Sequence, residues 1–174
     1  MHIPHQQLHD LHEFWHSRLH HRRMPDRADF TPEEFRPWFG HIGIVVAEKP
    51  ERGSRYPRWR VALSGLEITA YDGADWTGQL LDEAVPEHAR GEILAPYDRL
   101  VDRQAPVYWQ VDSTVNGAGI LKYHRLLLPV TCGGPAIGKV IVGIYAEPPR
   151  QPAQKSVYDA MAKAEISRAW AVAS

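Results

Sequence analysis

Three consecutive segments in the last third of the chain have the residue pattern of β-strands, and they constrain the fold more than any other feature. The segments are 106–115, 120–131 and 136–147. Asn-Gly at 116–117 separates the first two, and Gly-Gly at 133–134 separates the last two. Such dipeptides form the tight turns of β-hairpins. The sequence therefore predicts a three-stranded antiparallel meander.

Two further strands are predicted upstream of this meander. Residues 41–48 form a β-branched run, and residues 58–64 alternate so that Trp59, Val61 and Leu63 are predicted to share one face. The order of elements is therefore two strands, a helical region and three strands.

The helical region between the two groups of strands is predicted to hold several helices. Residues 66–73 and 75–85 have the pattern of one or two turns each, and residues 86–103 that of a longer helix. Pro96 lies inside the longer segment, where a proline removes a backbone donor and should kink or split the helix.

Helices are also predicted at both ends of the chain. Residues 4–22 carry an apolar stripe at helical spacing and end before Pro25. A short helix follows Thr31, which forms a capping box with Glu34. Residues 148–153 read as a proline-rich linker, and the tail from about 152 to 172 is predicted to form an amphipathic helix.

Several segments make the chain similar to the short, single-domain PAS-type proteins of bacteria. They are MPDRADF (24–30), RPWFGHI (36–42), WRVALSG (59–65), DGADWTG (72–78), QAPV (104–107) and YHRLLLPV (123–130). The resemblance implies an α+β, PAS-like fold: a five-stranded antiparallel sheet with a helical insert between strands 2 and 3, and flanking N- and C-terminal helices. We place flanking helices at 1–40, the PAS-like domain at 41–147, and the linker and last helix at 148–174.

A pocket between the inserted helices and the sheet is the predicted ligand site. Aromatic and apolar walls with few polar groups are typical of such pockets. The candidates are Trp59, Tyr71, Trp76, Tyr97, Trp109, Tyr123 and Arg125. Arg125 could bind a ligand carboxylate or phosphate, or instead form a salt bridge to Asp112 at the sheet surface. Aromatic residues in such a pattern more often form an ordinary core.

Seven of the ten histidines lie in residues 2–21, most of them three or four residues apart. His12, His16 and His20 follow one another at helical-turn spacing and are the candidate metal ligands. One helix offers only two such ligands at a time, so another segment or a second chain would have to complete the site. Adventitious metal binding, a pH-sensitive cluster and a polar border to the apolar stripe are the other readings.

No catalytic or cofactor motif accompanies these patterns. The sequence has no P-loop, GxGxxG or HExxH pattern, no flavin motif, and no histidine placed for heme except His88. Its one cysteine, Cys132, excludes an internal disulfide. We therefore expect no enzyme activity, and the cofactor stays unknown. The net charge of −1 does not favour nucleic acid, and no apolar run reaches membrane-spanning length, so a cytoplasmic protein is expected.

The strands 120–131 and 136–147 are apolar on both faces, so both faces of the sheet must be covered. We predict a homodimer built with the N-terminal helix. The resemblance implies a sensory or signalling domain that binds a small molecule, a signalling protein partner, or both. Two alternatives stay open: an interaction or dimerisation module without ligand, and a metal- or pH-responsive protein acting through the histidine helix.

Overall fold

One antiparallel sheet organises the chain. The computed structural model describes residues 1–114, 120–147 and 166–172, with the backbone alone for 112–114, 120–121 and 166–172. The strands are β1 (Ile42–Glu48), β2 (Arg58–Ser64), β3 (Val107–Thr114), β4 (Ile120–Thr131), β5 (Ile137–Glu147) and β6 (Ile166–Val172). Their order in the sheet is β2-β1-β5-β4-β3-β6. The predicted α+β fold with five antiparallel strands is confirmed, and β6 extends it at one edge.

The helices follow the predicted order along the chain. They are α1 (Gln6–His16), two 3₁₀ helices (Arg27–Asp29 and Pro32–Trp38), α2 (Leu66–Asp72), α3 (Leu81–Ala84) and α4 (Glu87–Arg103). Thr31 and Glu34 form the predicted capping box at the second 3₁₀ helix, since the Thr31 N–H donates to Glu34 Oε2 at 2.8 Å. Helix α4 is continuous across the buried Pro96, so the helix is not split there.

The predicted C-terminal helix is wrong over residues 166–172, which form β6. This strand pairs antiparallel with β3 from Val107↔Val172 to Ser113↔Ile166. Large and small residues alternate along Ile166–Val172, which is a period of two, and the pairing satisfies backbone groups at the outer edge of β3. The remainder of the predicted linker and helix, 148–165, lies outside the described residues.

The N-terminal helix is shorter than predicted because the chain turns away after Ser17. The Ser17 hydroxyl donates to the Phe14 carbonyl at 2.6 Å, and His20 and His21 have positive φ angles of 44° and 65°. Arg18 then forms an ion pair with Glu34 at 2.5 Å. The turn connects α1 to the 3₁₀ helices, so these elements lie side by side.

The inner face of the sheet packs against α2, α3 and α4 and forms the larger core. Residues on these helices and on β1 to β5 contribute to it, among them Ile93, Leu100, Leu127 and Val142. A second core on the outer face forms under α1, from Leu8, Leu11 and Trp15. Both faces are therefore covered at the centre of the sheet, as the apolar strands require.

Helix α1 lies unusually close to β5. A Cβ atom built on Gly143 would lie 2.6 Å from Leu8 Cδ2 and 2.9 Å from Leu11 Cδ2, so the missing side chain makes room for the helix. On the neighbouring strand β4, the Pro129 carbonyl accepts a hydrogen bond from Trp15 Nε1–H at 2.9 Å. The apolar stripe of α1 therefore packs against the sheet of its own chain.

A register shift moves Leu63 away from its predicted position. Val45 pairs with Val61 but Ile44 pairs with Leu63, so an extra residue of β2 lies between the two pairs. Trp59 and Val61 remain in the inner core, whereas Leu63 is opposite the outward-facing Ile44 and is 50% exposed. The prediction that Trp59, Val61 and Leu63 share one face is therefore wrong at Leu63.

Candidate functional site

The interior between the sheet and α2 to α4 brings together all seven residues predicted to line a ligand pocket. Trp59, Tyr71, Trp76, Tyr97, Trp109, Tyr123 and Arg125 each expose at most 7% of their surface. The rings of Trp59 and Tyr97 lie 5.3 Å apart, and those of Tyr71 and Tyr123 meet edge-on at 5.8 Å. Burial raises the pKa of Tyr71 to about 12, so its hydroxyl stays neutral. These residues pack against one another as a core.

Arg125 forms an ion pair inside this core. Its guanidinium donates to Asp72 Oδ1 at 3.2 Å and lies 5.8 Å from the centre of the Trp109 ring. The two charged side chains are only 6% and 7% exposed. Arg125 was predicted to bind a ligand anion or to pair with Asp112 at the surface. The structure instead gives it a buried carboxylate at the end of α2, and Asp112 opposes Lys122 in the register.

Little free volume remains in this interior. The cavity beside Asp72, Trp76, Tyr97 and Arg125 measures about 30 Å³. A cavity that measures roughly 10–15 Å³ in this way holds one water molecule, so this space has room for two or three. This part of the interior is therefore occupied almost entirely by side chains of the protein itself.

A much larger space lies on the outer face of the sheet, beside α1. We call it the outer groove; its volume is about 640 Å³. Its floor is the outer side of β1, β5 and the ends of β2 and β4, and its walls are the 3₁₀ helices and the start of α2. The lining residues are Arg27, Ala28, Phe30, Thr31, Pro32, Phe35, Phe39, Gly40, Ile42, Ile44, Leu63, Ser64, Gly65, Leu66, Val130, Lys139 and Ile141.

The helical wall of the outer groove is held by aromatic contacts to α1. Phe14 of α1 meets Phe35 edge-on at 5.4 Å and Phe30 at 5.6 Å. Trp38 Nε1–H donates to the Gln7 carbonyl at 2.8 Å. The groove wall and α1 therefore form one packed unit on the outer face.

At the end formed by Phe39 and Leu66, the outer groove is bounded by apolar side chains that are exposed to solvent. Phe39 is 61% exposed and Leu66 83% exposed. Gly40 and Gly65 lie between them in close contact, since a Cβ on Gly65 would be 2.2 Å from the Gly40 carbonyl oxygen. Large apolar side chains exposed together are typical of binding surfaces.

The sequence analysis did not identify this groove, although a signal was present. Every residue of the run IGIVVA (42–47) is apolar or glycine, which indicates cover on both faces of β1 as well. The N-terminal helix, the C-terminal helix or a second subunit was expected to cover the outer face, and in the structure α1 packs on β4 and β5. The outer face of β1 is consequently left to the 3₁₀ helices, which cover it incompletely.

The histidines of the N-terminal stretch do not act as one group. The rings of His12 and His16 stack 6.0 Å apart, but His20 lies beyond the end of α1. His12 Nδ1 is 3.1 Å from Glu13 Oε1. Within the described ranges, no three His, Cys, Asp or Glu side chains are grouped so that they could hold a metal ion.

Of the seven histidines in residues 2–21, His5 is the one that is buried. It caps the start of α1, is 7% exposed, and its ring lies 4.4 Å from Tyr145 and 5.2 Å from His124. Glu147 approaches both histidines, at 3.7 Å from His5 Nε2 and 3.3 Å from His124 Nε2. Burial lowers the pKa of His5, and the neighbouring His124 lowers it further.

Two more rings complete the surroundings of His5. Tyr108 Oη is 2.8 Å from His124 Nδ1. His41 stacks on Tyr145 at 3.9 Å, and its Nδ1 donates to the Ile144 carbonyl at 2.9 Å. We call His5, His41, His124, Glu147 and these tyrosines the histidine cluster.

The family comparison agrees with this architecture. A family model described as PAS domain matches residues 3–145, which includes α1, β1 to β4 and all but the last two residues of β5. The chain belongs to the PAS domain family, whose members are sensory or interaction modules. No curated protein and no solved structure matches the chain. None of the described helices is both long enough and apolar enough to cross a bilayer. The division at residues 40 and 148 stays a prediction.

The buried ion pair gives a first testable prediction. Removing one member of a buried pair leaves an uncompensated charge, which costs about 3–5 kcal/mol. We expect Asp72→Leu and Arg125→Met each to lower the free energy of unfolding by about that amount, measured by urea denaturation. The double variant should regain most of the loss, because it buries no charge.

The exposed pair Arg55–Asp102 is the matched control for this cycle. Arg55→Ala should cost at most about 1 kcal/mol, as solvent screens a surface pair. A loss for Asp72→Leu no larger than that for Arg55→Ala would contradict the burial of the pair.

Proposed function

We propose that this chain is a non-enzymatic PAS-type sensory or interaction module that receives its ligand or protein partner at the outer groove, and not in its interior. The observation that carries this proposal is the contrast between the two spaces. The cavity beside the Asp72–Arg125 pair in the interior measures about 30 Å³, and the outer groove measures about 640 Å³. Sites for small molecules usually measure about 300–1,000 Å³.

The packing around the outer groove supports a route for a signal. An occupant would touch Phe30 and Phe35, and both rings contact Phe14 on α1. A ligand shifts a conformational equilibrium only through contacts that differ between two states. The contacts of Phe14 are the ones that an occupant would alter, so α1 is the element expected to respond.

The homodimer stays a prediction. The apolar stripe of α1 packs against β4 and β5 within one chain, so a dimer would use another surface of the helix. The identity of a signalling partner likewise stays open in this proposal.

Xenon binding tests where apolar ligands can enter. Xenon occupies apolar cavities, and the protein methyl groups that it contacts change their NMR chemical shifts. We expect shifts at Ile42, Ile44 and Ile141 in the groove, and none at Ile93 or Val142 in the interior. The measurement is a methyl NMR titration under xenon pressure.

Leu127→Ala is the positive control, because it opens a cavity in the inner core where Leu127 is fully buried. Xenon should then shift interior methyl signals as well. Interior shifts in the unaltered protein would contradict the proposal, since they would reveal an interior that admits ligands.

A second candidate function, response to pH, is favoured by the histidine cluster. His5 is held between Tyr145, His124 and Glu147 at the start of α1, with His41 and Tyr108 adjoining. Protonation would place a positive charge in this buried cluster. Because His5 is the N-cap residue of α1, its protonation would weaken the packing of the helix against the sheet.

The sign of the pH dependence follows from the lowered pKa of His5 in the folded state. The unfolded chain takes up a proton near the ordinary value of 6.5, before the folded chain does. Stability is therefore unaffected well above that pH, and it decreases as the pH falls below 6.5 towards the folded pKa. Urea denaturation between pH 8 and pH 5 measures this decrease.

His5→Phe should reduce the decrease, because phenylalanine keeps the ring packing but does not titrate. His12, whose pKa burial also lowers, accounts for a remaining part. His9→Gln, at an exposed position, should leave the profile as in the parent chain. A His5→Phe profile identical to that of His9→Gln would rule out a role for His5 in pH response.

A further inference from the structure

The outer groove combines an apolar surface with positive charge. Apart from Arg27 and Lys139, its lining has no charged side chain, and no Asp or Glu is among the lining residues. Its floor and walls contribute three phenylalanine and three isoleucine side chains, with Leu63 and Leu66 at the rim. This lining suits an occupant that is mainly apolar and carries an anionic group.

Several basic residues near the groove are engaged in ion pairs, whereas the two groove cations are not so engaged among the described residues. Arg18, Arg22, Arg58 and Arg60 each form an ion pair with Asp or Glu. For Arg27 and Lys139, no ion pair occurs within the part of the chain that the structure describes. They are therefore available to an anion from outside.

The strand register places the cations at one end of the groove. Lys139 on β5 is opposite Val130 on β4, and the next residue, Thr131, bridges to Asp26, which precedes Arg27. Ile42 pairs with Gly143 at the other end, beside Phe39. Four residues of β1 separate the level of Ile42 from that of Lys139, a span of about 13 Å at the usual strand rise.

The segment that carries Arg27 is held in place by Asp26. Its carboxylate accepts hydrogen bonds from the Gly133 N–H at 2.8 Å, the Thr131 hydroxyl at 2.8 Å and the Ala28 N–H at 3.1 Å. These bonds lower the pKa of Asp26 to about 2, so the carboxylate stays ionised and engaged. The cationic end of the groove is therefore preformed.

We propose that the outer groove binds a single-chain amphiphile with an anionic head group, a fatty carboxylate in chemical class. The carboxylate lies between Arg27 and Lys139, and the hydrocarbon chain runs along Ile141 and Ile44 towards Phe39. The proposal rests on the proposed function, because it names the ligand class of the same groove. A concave space of this volume and polarity fits a small amphiphile. The two cations at one end determine which way round the amphiphile binds.

Calorimetric titration of the full chain tests this with three probes that share one tail. They are dodecanoate, 1-dodecanol and dodecyltrimethylammonium, each below the concentration at which it forms micelles. We expect dodecanoate to bind one to one, and the trimethylammonium probe to bind at least about tenfold more weakly. A decrease in affinity from dodecanoate to 1-dodecanol to dodecyltrimethylammonium supports both the apolar chain and the anionic head.

Charge variants test the head-group position. Arg27→Gln and Lys139→Gln should each weaken dodecanoate binding by about fivefold and leave 1-dodecanol binding unchanged. Lys49→Gln, in the exposed loop after β1, is the matched control and should change neither. Equal effects of all three variants, or equal affinity for the anionic and cationic probes, would overturn the proposal.

A variant at the groove rim tests the path of the chain. Leu63→Glu puts a carboxylate beside the hydrocarbon tail at a position that is half exposed, and Leu63→Gln has the same shape without the charge. Dodecanoate binding should fall at least tenfold more for Leu63→Glu than for Leu63→Gln, with circular dichroism confirming the fold of both. Equal binding would overturn the proposed path.

NMR shifts distinguish the possible failures. If dodecanoate does not bind and xenon still enters the groove, only the ligand class is wrong. If dodecanoate instead shifts the indole signals of Trp59 and Trp109, it binds in the interior, and both this proposal and the proposed function are wrong. If Leu63→Glu changes the mass in sedimentation and no probe binds, the groove joins two copies of the chain and the amphiphile is excluded.

Discussion

The structure depends on one constraint, the need to cover a sheet that is apolar on both faces. Along β4 and β5 nearly every side chain from Tyr123 to Val130 and from Val140 to Ala146 is buried. The inner face receives α2, α3 and α4, and the outer face receives α1. Burial of this kind contributes about 25 cal/mol per Å² of apolar surface, so neither layer is dispensable.

The same constraint explains where space remains. The inserted helices fill the inner side so completely that Arg125 needs a carboxylate from Asp72 within the chain. On the outer side, α1 packs mainly on β4 and β5, and the short 3₁₀ helices leave the outer surface of β1 partly open. This distribution of volume is the basis for the binding site that we propose on the outer face of the sheet.

The sequence predicted much of the fold because the periodic elements carry their own signals. The meander, the β1 and β2 strands and the insert follow directly from alternation and turn residues. Strand β6 was missed because Val157, Met161 and Ala164 have helical spacing, and that pattern was extended to Trp170 although the residues around it alternate. A pairing partner at the edge of β3 is a tertiary feature that a local pattern does not reveal.

The site was harder to predict than the fold. The seven predicted residues do come together, but the packing density of the interior depends on the combined fit of many side chains, which spacing does not encode. Leu63 moved to the outer face through a one-residue register shift. The groove consequently arises from how α1 and the 3₁₀ helices share the outer face, and no single motif marks it.

The most direct measurement of the central claim is the electron density of the protein crystallised as purified. The account predicts at most a few ordered waters and no ligand between Asp72, Trp76 and Arg125, and ordered solvent or ligand density in the groove between Lys139 and Phe39. Continuous ligand density inside the sheet–helix interior, with the Asp72–Arg125 pair opened to contact it, would contradict the account.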